Sequence, residues 1–252
     1  MSQFVPNSNQ KKEDHLSTFV LIHGAFHGGW CWYKVVAALE KHGHTVLAPD
    51  LPGHGKDKTP VAEVTLQRYV DSVCQLLDAQ REPVILVGHS MGGGIITQVA
   101  EERPDHIRCL VYLAASLPRN GWSMFGEFEY DKESATLANF VLAADQKSAT
   151  FREAGLKEVF YADCSDEDIV LAKLSVVPQA MEPMSVPVNT SEAKWGQVPR
   201  VYIECLRDRA VTPSFQKRLY TETPCQKVMS MNTSHSPFFS APGELAQHLM
   251  AL

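Results

Sequence analysis

Short apolar runs alternate with amphipathic segments along most of the chain. Runs rich in β-branched residues are typical of buried parallel strands, and we predict strands over residues 18–22, 45–48, 84–87, 108–114, 199–205 and 227–231. Apolar residues three or four positions apart, such as those of residues 66–77, predict helices. We expect helices over residues 30–41, 66–77, 93–102, 213–220 (with Thr212 as its N-cap) and 242–252. Alternating strands and helices predict an α/β fold with a parallel sheet covered on both faces.

This alternation stops near Leu117, where prolines, Asn120 and Gly121 break the pattern. Aromatic residues and helical stretches around 135–144 and 166–176 follow before the strand pattern returns. We therefore predict a cap, or lid, over residues 117–195. It is inserted into a core built from residues 17–116 and 196–252, behind a disordered tail at residues 1–16. The aromatic residues of the cap either form its own small core or roof a substrate pocket, and the sequence leaves both open.

Composition narrows the class of protein. A chain of 252 residues with 44% apolar and 21% charged residues suits one large globular α/β domain with an insertion. A net charge of −6 and scattered basic residues argue against binding to nucleic acid or to an anionic membrane. The sequence has no apolar run long enough for a transmembrane helix, and its N-terminus lacks the apolar centre of a signal peptide. Six cysteines without a regular framework indicate a reduced, cytoplasmic setting.

The most informative stretch is Gly88-His89-Ser90-Met91-Gly92, a G-x-S-x-G pattern between a predicted strand and a predicted helix. A serine on a strained turn between strand and helix stands clear of its backbone and can attack a carbonyl carbon. The alternative is a glycine-rich turn with an incidental serine, but the flanking elements favour a nucleophile at Ser90. His89 is interpreted as a structural neighbour.

The glycine-rich loop after the first strand, residues 23–29, supplies the complementary part of such a site. In serine hydrolases of this type, one oxyanion donor follows the nucleophile and the other comes from this loop. We predict an oxyanion hole made by the backbone N–H groups of Ala25 and Met91, with Phe26 as the alternative to Ala25. For His27 we favour a loop histidine that is satisfied by backbone groups. The loop also lacks the further ligands that a metal site would need.

A serine nucleophile needs a base, and the base needs an orienting carboxylate. Asp208 and His235 each follow a predicted strand, and reactive groups of parallel α/β enzymes lie at the carboxyl ends of strands. The chain order Ser90, Asp208, His235 is typical of α/β-hydrolases. Asp163 and Asp166 are the competing carboxylates.

With these residues in place, the chain resembles the plant methylesterase and hydroxynitrile lyase family of α/β-hydrolases, including bacterial relatives, from residue 19 to residue 252. The motifs that carry the resemblance are FVLIHGAFHGGWCW (19–32), APDLPGHG (48–55), VGHSMGG (87–93), VYIECLRD (201–208) with Phe215-Gln216 after it, Ser234-His235, and YADCSDEDIVLAKL (161–174) in the cap. The resemblance implies a six-stranded parallel core, a mobile cap, the Ser90–Asp208–His235 triad and no cofactor. Lyase members carry a threonine where this chain has Gly24 and a lysine where it has Ser236, so the esterase branch is favoured.

The sequence therefore predicts a cytoplasmic serine carboxylesterase without a metal, acting on a small or medium apolar ester as a monomer or homodimer. Aryl and methyl esters, and pyrethroid-like or polyketide-derived esters, fit this description. The expected pocket residues are Gly24, Phe26, Trp122, Phe125, Phe128 and Phe238. The alternatives are a pathway-specific acyl hydrolase or cyclase of natural-product biosynthesis, a hydroxynitrile lyase, and a non-catalytic receptor built on the same fold.

Overall fold

The computed structural model describes residues 16–252, so the predicted tail lies outside the described residues except for Leu16, which is exposed. The strands are β1 (Thr18–Ile22), β2 (Thr45–Leu47), β3 (Val84–His89), β4 (Ile107–Leu113), β5 (Phe140–Leu142), β6 (Ser148–Phe151), β7 (Gln179–Ala180), β8 (Arg200–Cys205) and β9 (Lys227–Met231). The α-helices are α1 (Tyr33–Glu40), α2 (Leu66–Asp78), α3 (Gly92–Glu102), α4 (Met124–Phe128), α5 (Glu153–Phe160), α6 (Asp166–Ser175), α7 (Glu182–Ser185), α8 (Pro213–Glu222), α9 (Pro237–Ser240) and α10 (Pro242–Met250). Short 3-10 helices span Gly29–Trp32, Val61–Glu63, Pro104–His106, Leu137–Asn139 and Trp195–Gln197.

Six strands form one parallel sheet in the order β2-β1-β3-β4-β8-β9, which confirms the predicted fold class. Successive side chains of a strand point to opposite faces. Val20 and Ile22 of β1 accordingly pack with α2, α3 and α8, whereas Phe19 and Leu21 pack with α1 and α10. All of β3 is buried. Burial of such a side chain stabilises the fold by about 1.5–3 kcal/mol, so the two layers of helices hold the central strands firmly.

The segment between β4 and β8 contains a second sheet, antiparallel and three-stranded, in the order β5-β6-β7. The prediction of a helix around residues 135–144 is wrong, because this stretch forms a 3-10 turn and then β5. Phe140 pairs with Phe151 across the two strands, and both rings contact Phe26. Aromatic packing across the strands therefore outweighs the helix preference of the alanines nearby.

The parallel core brings the loops after β1, β3, β8 and β9 to one edge of the sheet, because the carboxyl ends of parallel strands share that edge. Thr212 precedes α8 as predicted, but its side chain does not cap the helix; its hydroxyl donates to Asp131 (2.6 Å) instead. Among residues 16–252, no helix is long and apolar enough to cross a membrane.

Candidate active site

Ser90 lies on the turn between β3 and α3 with a backbone φ of +53°. L-residues rarely adopt this left-handed conformation, and holding a serine there costs about 1–2 kcal/mol. The Ser90 N–H donates to the carbonyl of Leu113 in β4 (3.2 Å), which fixes the turn against the neighbouring strand. A Cβ at Gly88 would lie 2.5 Å from the Gly92 carbonyl oxygen, so the chain can turn this sharply only with glycine at position 88.

His235 and Asp208 form a buried pair at the same edge of the sheet. His235 Nδ1 lies 2.7 Å from Asp208 Oδ2, and both side chains are almost fully inaccessible. The other carboxylate oxygen of Asp208 accepts the N–H groups of Ala210 (2.7 Å) and Val211 (3.0 Å). With its carboxylate held by backbone donors, Asp208 fixes the plane of the imidazole and places the Nδ1 proton between the two residues.

The competing carboxylates bind elsewhere. Asp163 accepts the Ser234 N–H (2.8 Å) and pairs with Arg207 (3.1 Å), so it anchors the loop that carries His235. Asp166 lies on the exposed face of α6 and pairs with Lys157. In the described part of the chain, neither carboxylate bonds to the imidazole of His235.

The loop after β1 holds Ala25 in the cavity wall. His23 Nε2 accepts the Leu51 N–H (3.1 Å), so the proton of this imidazole is on Nδ1 and donates to the Gly24 carbonyl (2.9 Å). Because the Gly24–Ala25 peptide is trans, the Ala25 N–H points away from His23. Between residues 16 and 252, neither Ala25 N–H nor Met91 N–H has a protein acceptor, and both residues line the cavity.

Phe26, the alternative donor, uses its N–H for the side-chain oxygen of Gln179 (3.3 Å). Its φ of +66° turns the chain sharply after Ala25. The geometry therefore favours Ala25 over Phe26 as an oxyanion donor.

His27 and His54 secure the remainder of this loop as neutral imidazoles. His27 donates to the Ala25 carbonyl (2.7 Å) and lies 2.7 Å from the Tyr161 hydroxyl. His54 Nδ1 donates to the His27 carbonyl (2.6 Å). Burial lowers the pKa of His27 to about 4 and also lowers the pKa of His54 and of His23. Such neutral imidazoles orient the loop without adding charge beside the nucleophile.

His89 lies directly behind the base. Its Nε2 donates to the backbone carbonyl of His235 (2.8 Å), and the two ring centroids are 4.5 Å apart. Burial and the neighbouring imidazoles of His235 and His27 hold the pKa of His89 well below its ordinary value. The structural role interpreted from the sequence matches this position.

One cavity opens over Ser90 and His235, and four of the six predicted pocket residues line it: Gly24, Phe26, Phe125 and Phe128. The other two do not reach it. Trp122 packs against Tyr130 (5.5 Å between centroids) and does not line the cavity. Phe238 is fully buried behind the site, 5.2 Å from the Trp32 ring and 5.0 Å from the His89 ring. Both predictions are corrected, because neither membership of an aromatic cluster (Trp122) nor proximity along the chain to His235 (Phe238) decides the direction in which a ring points.

The cavity also contains residues that the sequence did not indicate. They come from several elements: Ser116, Met124, Thr136, Leu137, Phe140, Phe160, Met184, Ala210, Val211 and Phe215. Their only sequence signal is the proximity of Ala210, Val211 and Phe215 to Asp208. The set is mostly apolar and aromatic, and among the described lining residues no side chain is a carboxylate, an ammonium or a guanidinium group.

This arrangement can support nucleophilic acyl transfer. A strained serine, an imidazole held by a buried carboxylate, and two unpaired backbone N–H groups meet at one apolar cavity. These are the parts that attack on a carbonyl requires, and desolvation strengthens the electrostatic interactions inside such a cavity.

Known proteins share the sequence and the fold of this chain. A family model described as "Alpha/beta hydrolase family" matches residues 19–248. The chain is 33% identical over 247 residues to a protein of Arabidopsis thaliana called "Putative methylesterase 14, chloroplastic", covering 93% of this chain and 71% of that protein. It is also 33% identical over 261 residues to Methylesterase 2 of Arabidopsis thaliana, covering 97% of this chain and 98% of that protein. A crystal structure of polyneuridine aldehyde esterase superposes with a TM-score of 0.86 at 26% identity, covering 94% of this chain and 99% of that chain.

Proposed function

This chain belongs to the alpha/beta hydrolase family, and we propose that it is a serine carboxylesterase whose triad is Ser90, Asp208 and His235. Its methylesterase relatives support an esterase-type hydrolase. The observation that carries the proposal is the buried 2.7 Å contact between His235 and Asp208 at the cavity that Ser90 also lines. Methylesterase relatives with matching length support the reaction class.

In the proposed reaction, the Ser90 hydroxyl attacks the ester carbonyl while His235 Nε2 takes its proton. Asp208 holds the Nδ1 proton and stabilises the imidazolium that forms. The carbonyl oxygen becomes an oxyanion that the N–H groups of Ala25 and Met91 stabilise, and loss of one such donor costs about 3–4 kcal/mol. His235 then protonates the departing alcohol. Water activated by His235 releases the acid from the acyl-enzyme and restores Ser90.

The proposed substrate is an uncharged ester with an apolar acid or alcohol part. Rings of Phe125, Phe128, Phe140 and Phe160 line the cavity, and a carboxylate or ammonium group on the ligand would lose its hydration there without gaining a partner. All four rings belong to the segment 117–195, which we propose acts as the predicted cap. The cytoplasmic location and the monomeric or dimeric state stay predictions.

Cyanohydrin cleavage is less well supported. At the position where the lyase pattern has lysine, this chain has Ser236, whose side chain is fully buried and uncharged. The position of the lyase threonine is Gly24, where a Cβ would already lie 2.9 Å from Ser90 Cβ. An esterase needs neither side chain, because its leaving group is protonated by the imidazole.

Hydrolysis of short-chain p-nitrophenyl esters by the wild type and by Ser90→Ala tests the proposal. We expect turnover by the wild type and a loss on the order of 10⁴-fold or more in the variant, since both triad function and covalent catalysis disappear. Ser72→Ala, which removes a hydroxyl of α2 that donates to the Tyr69 carbonyl and does not line the cavity, is the matched control and should keep full activity. Activity that survives in Ser90→Ala would overturn the mechanism.

A further inference from the structure

Ser116 is a polar residue at the end of β4 that the proposed mechanism does not use. Its N–H donates to the carbonyl of Ser90 (3.1 Å), so it is in direct contact with the nucleophile's backbone. The residue lines the cavity and is only partly buried. Ser116 and Ser90 therefore belong to the same wall of the cavity.

The hydroxyl proton of Ser116 is committed to Glu127 of α4. Ser116 Oγ forms a hydrogen bond with Glu127 Oε2. Glu127 Oε2 also accepts the Leu117 N–H (3.2 Å). Burial raises the pKa of Glu127 to about 7. Above this pKa Glu127 is ionised and can only accept hydrogen bonds, so the Ser116 hydroxyl donates its proton to Oε2.

A hydroxyl whose proton is committed can only accept further hydrogen bonds. The other polar groups on the cavity wall have the same character. Thr136 donates to the Ala210 carbonyl (3.2 Å), and both ring nitrogens of His27 are occupied. Buried His89 Nδ1 has no partner and carries no proton, because its Nε2 is the donor to His235. Among these lining side chains, neither Thr136 nor His27 has a free donor, and His89 Nδ1 can only accept.

We infer that Ser116 determines specificity by accepting a hydrogen bond from a hydroxyl or N–H group of the ester, next to the scissile carbonyl. The inference rests on the proposed function and specifies its substrate class: an apolar ester with one donor close to the reacting carbon, such as a 2-hydroxy ester. An ester without that donor leaves the Ser116 oxygen desolvated and unmatched, which lowers its affinity.

Two esters that differ by one hydroxyl test this inference: methyl mandelate, in either enantiomer, and methyl phenylacetate. Binding is measured by calorimetry on Ser90→Ala, which keeps the cavity and cannot turn over, and kcat/KM is measured on the wild type. We expect one mandelate enantiomer to bind about 5- to 10-fold more tightly than the phenylacetate, which is the value of one net hydrogen bond. Ser116→Ala in the same background should bring the ratio to about one.

Two further variants separate recognition from packing. Glu127→Gln keeps an oxygen for the Ser116 hydroxyl and should keep the preference. Thr136→Val removes a different lining hydroxyl, already bonded to Ala210, and should also keep it. Because each result is a ratio of two ligands on one protein, partial unfolding of a variant cancels, and Ser116→Cys replaces Ser116→Ala if the latter does not fold.

Equal binding of both esters, or a preference that persists in Ser116→Ala, would overturn the inference even if the wild type hydrolyses both esters. A binding preference that disappears in Ser116→Ala while the wild type hydrolyses neither ester would support the inference and refute the proposed function. The binding ratio therefore tests the inference about Ser116, and turnover separately tests the proposed function.

Discussion

Replacement of Glu127 by glutamine is expected to remove a pH dependence of stability. Glu127 is 7% exposed and lies on α4, with its carboxyl against the segment that follows β4. Burial raises the pKa of this carboxyl from 4.5 to about 7, and this outweighs the hydrogen bonds from Ser116 and Leu117 and the charge of nearby Arg119, all of which lower it. Between pH 4.5 and about pH 7, the folded protein therefore keeps a proton on Glu127 that the unfolded chain has already released.

The size of the effect follows from linkage between proton binding and folding. Because the folded pKa lies above the unfolded one, the stabilisation is complete below pH 4.5 and is lost as pH rises through about 7. At about pH 5.5 the group contributes about 2 kcal/mol to the free energy of unfolding, and at about pH 8.5 it contributes nothing. Glutamine does not titrate. As the pH rises from about 5.5 to about 8.5, the free energy of unfolding of the variant therefore increases by about 2 kcal/mol relative to that of the wild type.

Urea unfolding of both proteins at the two pH values, followed by circular dichroism, measures this difference. Other titrating groups are shared by both proteins and cancel. Glu129→Gln is the matched control, since Glu129 is exposed and lies two residues further along the chain, and it should show the same difference from the wild type at both pH values. If the free-energy difference between Glu127→Gln and the wild type is the same at both pH values, the carboxyl is not buried as a neutral acid and the reasoning is refuted.

Two further predictions concern the reaction. Asp208→Asn should lower kcat for ester hydrolysis on the order of 10⁴-fold with an unchanged circular dichroism spectrum, because an amide cannot stabilise the imidazolium; a loss below tenfold would contradict its role. Gly24→Ala should lower kcat/KM on the order of 10²-fold, because the new Cβ would lie 2.9 Å from Ser90 Cβ and displaces the oxyanion loop. Gly243→Ala, where a Cβ meets nothing within 4 Å, is its control, and equal activity of the two variants would refute the steric argument.

The core sheet could be predicted from the sequence because each of its strands is an apolar run between polar boundaries. The third strand was predicted over 84–87 and spans Val84–His89, and the second helix was predicted over 66–77 and spans Leu66–Asp78. Once the order of strands and helices indicates a parallel sheet, residues that follow strands must meet at one edge. This is why Ser90, Asp208 and His235 could be chosen without coordinates.

The walls of the cavity could not be predicted in the same way, because they depend on contacts between distant parts of the chain. Phe140 belongs to a strand only because Phe151 and Phe26 pack against it, and its local sequence resembles a helix. Trp122 lies near cavity residues in the sequence, yet its ring faces Tyr130. Glu127 shows no sign in the sequence of being buried, since an exposed helix would contain the same residue.

The neutral histidines around the proposed oxyanion loop make that loop sensitive to acid. His23 can accept the Leu51 N–H only while its Nε2 is unprotonated, and His27 accepts from Tyr161 in the same way. Burial lowers the pKa of both histidines, to about 4 for His27. The stability that the neutral rings confer is therefore complete above about pH 6.5 and is lost as the pH falls through the lowered pKa values. A proton taken up by either ring turns an acceptor into a donor that faces another donor, two residues from Ala25. Acidification to about pH 4 should therefore disorder the proposed oxyanion loop and abolish turnover while the sheet beneath it is still folded.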